Sequence, residues 1–380
     1  MNTRIPSFLS RPVALAAAAL ATALLAAGPA QAAHGVAATA GQTDAAPSTR
    51  PLPVVASFSI LADLVKQVGG DRVTVESLVK AGGDTHVFQP GPAQVRQLSS
   101  ASLVVVNGLG FEGWMPRLIG SSGYKGPVVE AARGLQAMKA TDDRHHHGDD
   151  ADDDDHDHEG PHGHDHDHDG PHGHDHDEDG PHGHSHADHD HDEASHGHHH
   201  HHHGGLDPHA WQDALNVRHY VANIAEGLCQ AAPADCGGFR ERARAYDQKL
   251  LELDQEIHQA VDATPTDRRR VMVSHAAFGY YGRAYHITFM APVGISTEEE
   301  PSAAVVANLI RQARQQNVQA FFFENNSDPR LLKRMASELK NVTIGELYAD
   351  SLSPANGPAA DYLSMMRYNT RAISQALSKK

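Results

Sequence analysis

Residues 139–205 hold almost no side chain that a core could use, and they split the chain into two parts that must fold around them. The segment carries 24 of the 31 histidines and repeats GPHGHDHDHD, GPHGHDHDED and GPHGHSHADH before closing on six histidines at 198–203. Folding needs enough apolar burial to offset the entropy of ordering the backbone, and a His/Asp tract cannot supply it. The composition therefore predicts a long disordered insertion with several weak metal sites. A purification tag would sit at a terminus, whereas these histidines continue an internal repeat.

The same segment explains the charge. Between 142 and 203 there are 21 Asp and Glu against one Arg, although the whole chain nets −17, so the rest carries about +3. A nearly neutral body offers no basic surface for nucleic acid.

Residues 1–32 read as a secretory signal peptide. Arg4 and Arg11 make a basic start, 13–27 is an apolar run too short to span a bilayer comfortably, and Ala30-Gln31-Ala32 is a small-x-small cleavage site. No cysteine follows that site, so no lipid anchor is expected there. Residues 33–50 read as a flexible leader. The expected product is an exported protein in the periplasm of a Gram-negative bacterium. In that oxidising compartment the only two cysteines, Cys229 and Cys236, are a fair disulfide pair.

The flanks alternate strand and helix patterns. Apolar runs at 52–56, 73–79, 103–107 and 127–131 are separated by helical patterns at 60–68, 94–98 and 111–119. Beyond the insertion, strand patterns at 270–274, 320–324 and 342–347 alternate with helices at 277–285, 301–316, 328–339 and 362–377. Such alternation predicts βαβ units and parallel sheets. Between the halves, Phe239, Ala243, Tyr246, Leu250, Leu253, Ile257 and Ala260 form one stripe. It predicts a helix of roughly 25 residues, on the order of 37 Å long. The domain reading is an N-terminal lobe at 51–237, a linking helix at 238–264 and a C-terminal lobe at 265–380.

Seven histidines lie outside the repeat: His34, His86, His209, His219, His258, His275 and His286. His34 falls in the leader; His219 and His258 fall within helices and read as surface or core residues. His286 follows a helix and is at most an outer-sphere group. His86, within Gly82-Gly83-Asp84-Thr85-His86, follows one strand; His275 follows another directly; His209 follows Leu206-Asp207-Pro208 just before a helix. Asp350 follows the last strand. Open α/β sheets bind ligands beyond the carboxyl ends of their strands, where such loops converge. Three imidazoles and one carboxylate make a set of borderline donors suited to Zn²⁺, while Mn²⁺ prefers more oxygen.

These residues sit in segments that resemble a known family. GGDTHVFQPGPAQVRQL, VNGLGFEGWMPRLI, LDPHAWQDALNV, VSHAAFGYYGRAYHI, EEEPSAAVVANLI, FFFENNSDPRLLKRMA and LYADSLSP occur in the family's order and span most of the chain from Leu52 to Leu377. Together they are similar to the cluster A-I metal-binding proteins of ABC transporters, most closely the zinc-binding ZnuA type. The resemblance implies His86, His209, His275 and Asp350 as metal residues. Histidine at position 275, where manganese-binding relatives carry glutamate, implies the zinc branch, as does the His-rich insertion. It further implies two lobes, each a four-stranded parallel sheet flanked by helices, joined by one long rigid helix. The implied function is a monomeric periplasmic protein that captures Zn²⁺ and delivers it to an integral-membrane permease.

Three alternatives have different signatures. A zinc hydrolase needs a placed general base, and outside the His/Asp repeat no HExxH, Gly-x-Ser-x-Gly or phosphate-loop pattern occurs. Glu298, Glu299 and Glu300 read instead as the acidic first turn of the helix at Pro301. A periplasmic zinc buffer or chaperone would need only the insertion. The same import role for Mn, Ni or Cu is not separated from zinc by affinity in vitro, since imidazole sites follow the Irving–Williams order whatever the physiological metal.

Overall fold

The computed structural model describes residues 50–140 and 205–378. The expected signal peptide, nearly all of the expected leader with His34, and the His/Asp repeat lie outside the described residues.

The N-terminal lobe opens with β1 (Leu52–Phe58), whose last five residues are all buried. Helix α1 (Ser59–Gly69) packs Ile60, Leu61, Leu64, Val65 and Val68 inward at helical spacing. It stops where Gly70 turns to φ 61°, a left-handed value that costs glycine little. β2 (Val73–Val79), α2 (Pro92–Ser99), β3 (Leu103–Val106), α3 (Met115–Ser122) and β4 (Val128–Glu130) complete a parallel sheet of order β2-β1-β3-β4.

Helix α4 (Ala214–Ala231) starts on Asp213, whose side chain accepts the Leu215 N–H. A disulfide joins Cys229, near the end of α4, to Cys236, the first residue of α5 (Cys236–Asp262). The 27 residues of α5 extend about 40 Å at 1.5 Å per residue. The helix begins and ends two residues earlier than its pattern suggests, and its last inward residue is Val261, with Ala260 only half-buried.

The C-terminal lobe repeats the scheme with β5 (Arg270–Val273), α6 (Gly279–Tyr285), β6 (Thr288–Met290), α7 (Ala303–Gln315), β7 (Ala320–Glu324), α8 (Arg330–Ser337), β8 (Thr343–Leu347) and α9 (Tyr362–Ser378). Its strands are parallel in the order β6-β5-β7-β8. Alternate residues on β5 and β7 go to different cores. Val271, Val273, Ala320 and Phe322 join the large core that includes α5, whereas Met272 and Phe321 join a smaller one with Leu309, Leu332 and Met335. A sheet covered on both faces explains why these strands read as continuous apolar runs.

Two expected helix starts move for local reasons, and one strand had no pattern to predict it. The helix expected from Phe111 begins at Met115, because 107–111 form a turn through Gly108, Leu109 and Gly110, all at positive φ. The helix expected at Pro301 begins at Ala303, with the Ser302 hydroxyl accepting the Val305 N–H. Glu298, Glu299 and Glu300 are therefore exposed residues ahead of the helix and not its first turn. β6 has only three residues at a sheet edge, too short for a pattern to show.

Candidate metal centre

Each candidate residue is placed by the end of a strand or by the turn that follows it. The loop after β2 carries His86, whose backbone N–H donates to Asp84 Oδ1 at 2.9 Å. The indole N–H of Trp114 holds the neighbouring Thr85 carbonyl at 2.9 Å. In Asp207-Pro208-His209, Asp207 Oδ1 accepts the His209 backbone N–H at 2.9 Å, so the Asp closes its own turn. Asn107, at the end of β3, donates from Nδ2 to the Pro208 carbonyl at 3.0 Å and accepts from the Tyr220 hydroxyl at 2.6 Å. That amide ties the Gly108–Gly110 turn to the His209 turn. His275 follows β5, and its N–H donates to Glu324 Oε1 at 3.1 Å.

These placements bring His86, His209, His275 and Asp350 together, with one donor atom from each lying within 4.8 Å of all the others. Asp350 is 3.1 Å from His275 Nε2, 3.4 Å from His86 Nε2 and 3.6 Å from His209 Nε2, and the Nε2 atoms of His86 and His209 are 3.4 Å apart. A tetrahedron with arms of ~2.05 Å has edges of about 3.3 Å, so these four separations are those of ligands around one small ion. His275 Nε2 and both Asp350 oxygens are buried without a hydrogen-bond partner. Such unpaired polar atoms are rare in a core, and here they converge.

The outer nitrogens explain why the inner ones point inward. His209 Nδ1 lies 2.8 Å from Asp207 Oδ1, and His275 Nδ1 is hydrogen-bonded to Glu324 Oε2. A carboxylate that accepts a hydrogen bond from Nδ1–H leaves the Nε2 lone pair facing the cluster. Asp207 and Glu324 were not anticipated as functional residues. Asp207 had a signal, two residues before a candidate histidine; Glu324 sits on a different strand, brought beside β5 only by the sheet order.

The charges are coupled. Burial by itself would lift the Asp350 carboxyl, but the neighbouring His275 and His209 hold it well below the usual carboxylate range. Burial by itself would lower His275, and the Glu324 and Asp350 carboxylates outweigh it and raise the imidazole well above its ordinary value. Without a metal ion, a proton on His275 therefore neutralises part of the cluster.

Aromatic rings wall the site. Phe111 meets the His86 ring edge-on at 4.9 Å and the Trp211 ring at 4.8 Å, and Trp211 packs on His209 at 5.3 Å. The remaining histidines among the described residues stand elsewhere. His219 and His286 are exposed, and His258 packs on Tyr285 at 5.0 Å beside Asp254. Among the described residues no helix is long and apolar enough to cross a membrane.

Comparison with known proteins places this architecture. Residues 54–376 match the family model for ZnuA, zinc-uptake complex component A, periplasmic. A manganese ABC transporter substrate-binding lipoprotein, PsaA of Streptococcus anginosus, is 26% identical over 350 residues, spanning 90% of this chain and 94% of the relative. The manganese-binding lipoprotein MntA of Halalkalibacterium halodurans is 24% identical, spanning 86% and 89%. The periplasmic zinc-binding protein TroA of Treponema pallidum has the same fold, with a TM-score of 0.67 at 22% identity over 87% of this chain and all of that one. This chain belongs to the ZnuA family of divalent-metal-binding, substrate-binding proteins of ABC transporters, and it is not an enzyme.

Proposed function

We propose that the chain captures Zn²⁺ in the Gram-negative periplasm with His86, His209, His275 and Asp350, and delivers it as a monomer to the permease of an ABC importer. One observation carries this reading: three imidazole nitrogens and one carboxylate lie within 4.8 Å of one another, with two of the imidazoles oriented by outer carboxylates. Nitrogen-rich four-coordination is a zinc preference, whereas Mn²⁺ favours more oxygens. The ion is cargo, so the site must both hold it and let it go.

A second reading, the same role for Mn²⁺, draws on the manganese names of relatives such as PsaA and MntA. Because Zn²⁺ outranks Mn²⁺ at most donor sets, the role is separated by a strain lacking this chain, whose growth under metal limitation zinc and not manganese should rescue. The ligand set is tested by competition in vitro. After dialysis against a chelator that strips weak sites, equal Zn²⁺ and Mn²⁺ are offered and the bound metal is measured by mass spectrometry. The expected result is one retained Zn²⁺, with at least about 10-fold weaker binding for His86→Ala, His209→Ala or His275→Ala, since losing a ligand costs more than losing its outer partner. Preferential retention of Mn²⁺ would replace zinc in this reading. Parental affinity in His275→Ala would remove the cleft from it.

A further inference from the structure

His86 is held differently from the rest of the cluster. The His209, His275 and Asp350 side chains are at most 1% exposed, whereas His86 keeps 6%, so the route between site and solvent passes this ring. His209 and His275 each have a carboxylate on the outward nitrogen; among the described residues the His86 ring has none. Its loop is fixed from across the cleft. Asp84 Oδ1 accepts the His86 backbone N–H at 2.9 Å, and Asp84 Oδ2 accepts the hydroxyl of Thr297 at 2.8 Å. Thr297 belongs to the C-terminal lobe, in the segment between β6 and α7. A second tie runs from the Gly82 N–H to the hydroxyl of Ser351, next to Asp350, at 2.6 Å.

We infer that the Asp84–Thr297 hydrogen bond is a cross-lobe latch, in which the two residues position His86 on the ion and set how fast the ion leaves. This rests on the metal-carrier reading. A hydrogen bond of 2.8 Å is lost once its atoms separate beyond about 3.5 Å. A lobe shift under 1 Å is therefore enough to free Asp84 from Thr297, which leaves the Gly82–Ser351 hydrogen bond as the tie holding the loop and loosens the turn that carries His86. The most solvent-accessible ligand then detaches first, while the carboxylate-backed His209 and His275 keep their orientation. Wide opening of the lobes is unnecessary.

The test uses the full chain, dialysed against a chelator of intermediate affinity so that only tightly held Zn²⁺ remains. Thr297→Val removes the hydroxyl at nearly constant shape, and Thr297→Ser restores it. Zn²⁺ release into excess chelator, followed by stopped-flow tryptophan fluorescence, should be about 10-fold faster in Thr297→Val and close to parental in Thr297→Ser, an effect of the size expected for an outer-sphere support. In a His86→Ala background, Thr297→Val should add nothing further, because the latch acts only through that ring. In the metal-free protein, hydrogen exchange of residues 82–88 should speed up in Thr297→Val. Unchanged exchange there, or a release effect that persists undiminished without His86, overturns the latch. A parent chain that retains no ion overturns the metal-carrier reading, and the exchange measurement still decides the latch.

Discussion

The indole N–H of Trp211 donates to the carbonyl oxygen of Ala349 at 2.9 Å, linking the residue two beyond His209 to the residue before Asp350. The same carbonyl accepts the Gln212 side-chain amide at 2.9 Å, and the Tyr362 hydroxyl in turn donates to the Trp211 carbonyl at 2.7 Å. All of these groups are buried. The carboxylate of one lobe is thus set against the imidazole of the other by hydrogen bonds that need no metal, so the cleft is preorganised.

Trp211→Phe keeps a ring against Phe58, Phe111 and His209 but removes the N–H. A single buried hydrogen bond contributes about 0.5–1.5 kcal/mol, so zinc affinity should fall by roughly 2- to 12-fold. Calorimetry measures it. An unchanged affinity would mean that the Ala349 carbonyl is not what positions Asp350.

Metal binding should compete with protons. His275 is raised well above the ordinary imidazole value by Glu324 and Asp350 despite its burial, so the metal-free cluster carries a proton that the ion must displace. The affinity should drop by about 10-fold for each unit that the pH falls below the His275 pKa. Glu324→Gln removes one of the two charges that raise His275 and should weaken this dependence as well as the affinity, by about 10- to 100-fold. Calorimetry in buffers of different ionisation enthalpy reports the released proton directly. Binding enthalpies independent of buffer would contradict the scheme.

Glu112 should make the metal-free fold less stable as pH rises. Its carboxylate accepts the Ser57 hydroxyl and the Asn107 N–H at 2.6 Å each, and the Gly108 N–H at 3.4 Å. Burial nevertheless outweighs these donors and pushes the carboxyl from 4.5 to about 7. A carboxyl raised on folding binds its proton more tightly in the folded state. Its stabilising contribution is full below 4.5 and is lost as pH climbs to about 7, at a cost of roughly 3 kcal/mol at most. Glu112→Gln keeps an oxygen for Ser57 and Asn107 and cannot ionise. Between pH 5 and 8 the Tm of the parent should fall relative to that variant; a constant difference would show that Glu112 does not titrate in this window.

Replacing 141–204 with a two-residue Asn-Gly turn should leave the tight site in place. The flanks are already paired: Lys139 bridges Leu206 in antiparallel fashion, Ala140 N–H donates to the Gly205 carbonyl at 2.9 Å and Asp207 N–H to the Met138 carbonyl at 2.9 Å. A short hairpin turn closes such a pair without strain. Zinc stoichiometry should fall from several ions to about one, the number a single four-coordinate site holds. Loss of that last ion would make a histidine of the replaced segment part of the site.

Much of the centre could be read before any coordinates. His86, His275 and Asp350 follow apolar strand runs, and His209 precedes a helix, so the rule that ligands gather beyond strand ends was enough to pick them from seven candidate histidines. Sheet pairing is parallel because each strand is followed by a helical pattern, and that too is local. The roles of Glu324, Thr297 and Trp211 were not local. Glu324 reaches His275 because β7 pairs with β5 out of chain order. Thr297 meets Asp84 across 213 residues, and Trp211 meets Ala349 across 138. A hydrogen bond of this kind leaves no periodicity and no spacing in a sequence, since it depends on how the two lobes are set face to face. The chain by itself determined which atoms can bind a metal ion; the packing of the lobes decided which nitrogen each imidazole presents and what holds the carboxylate opposite them.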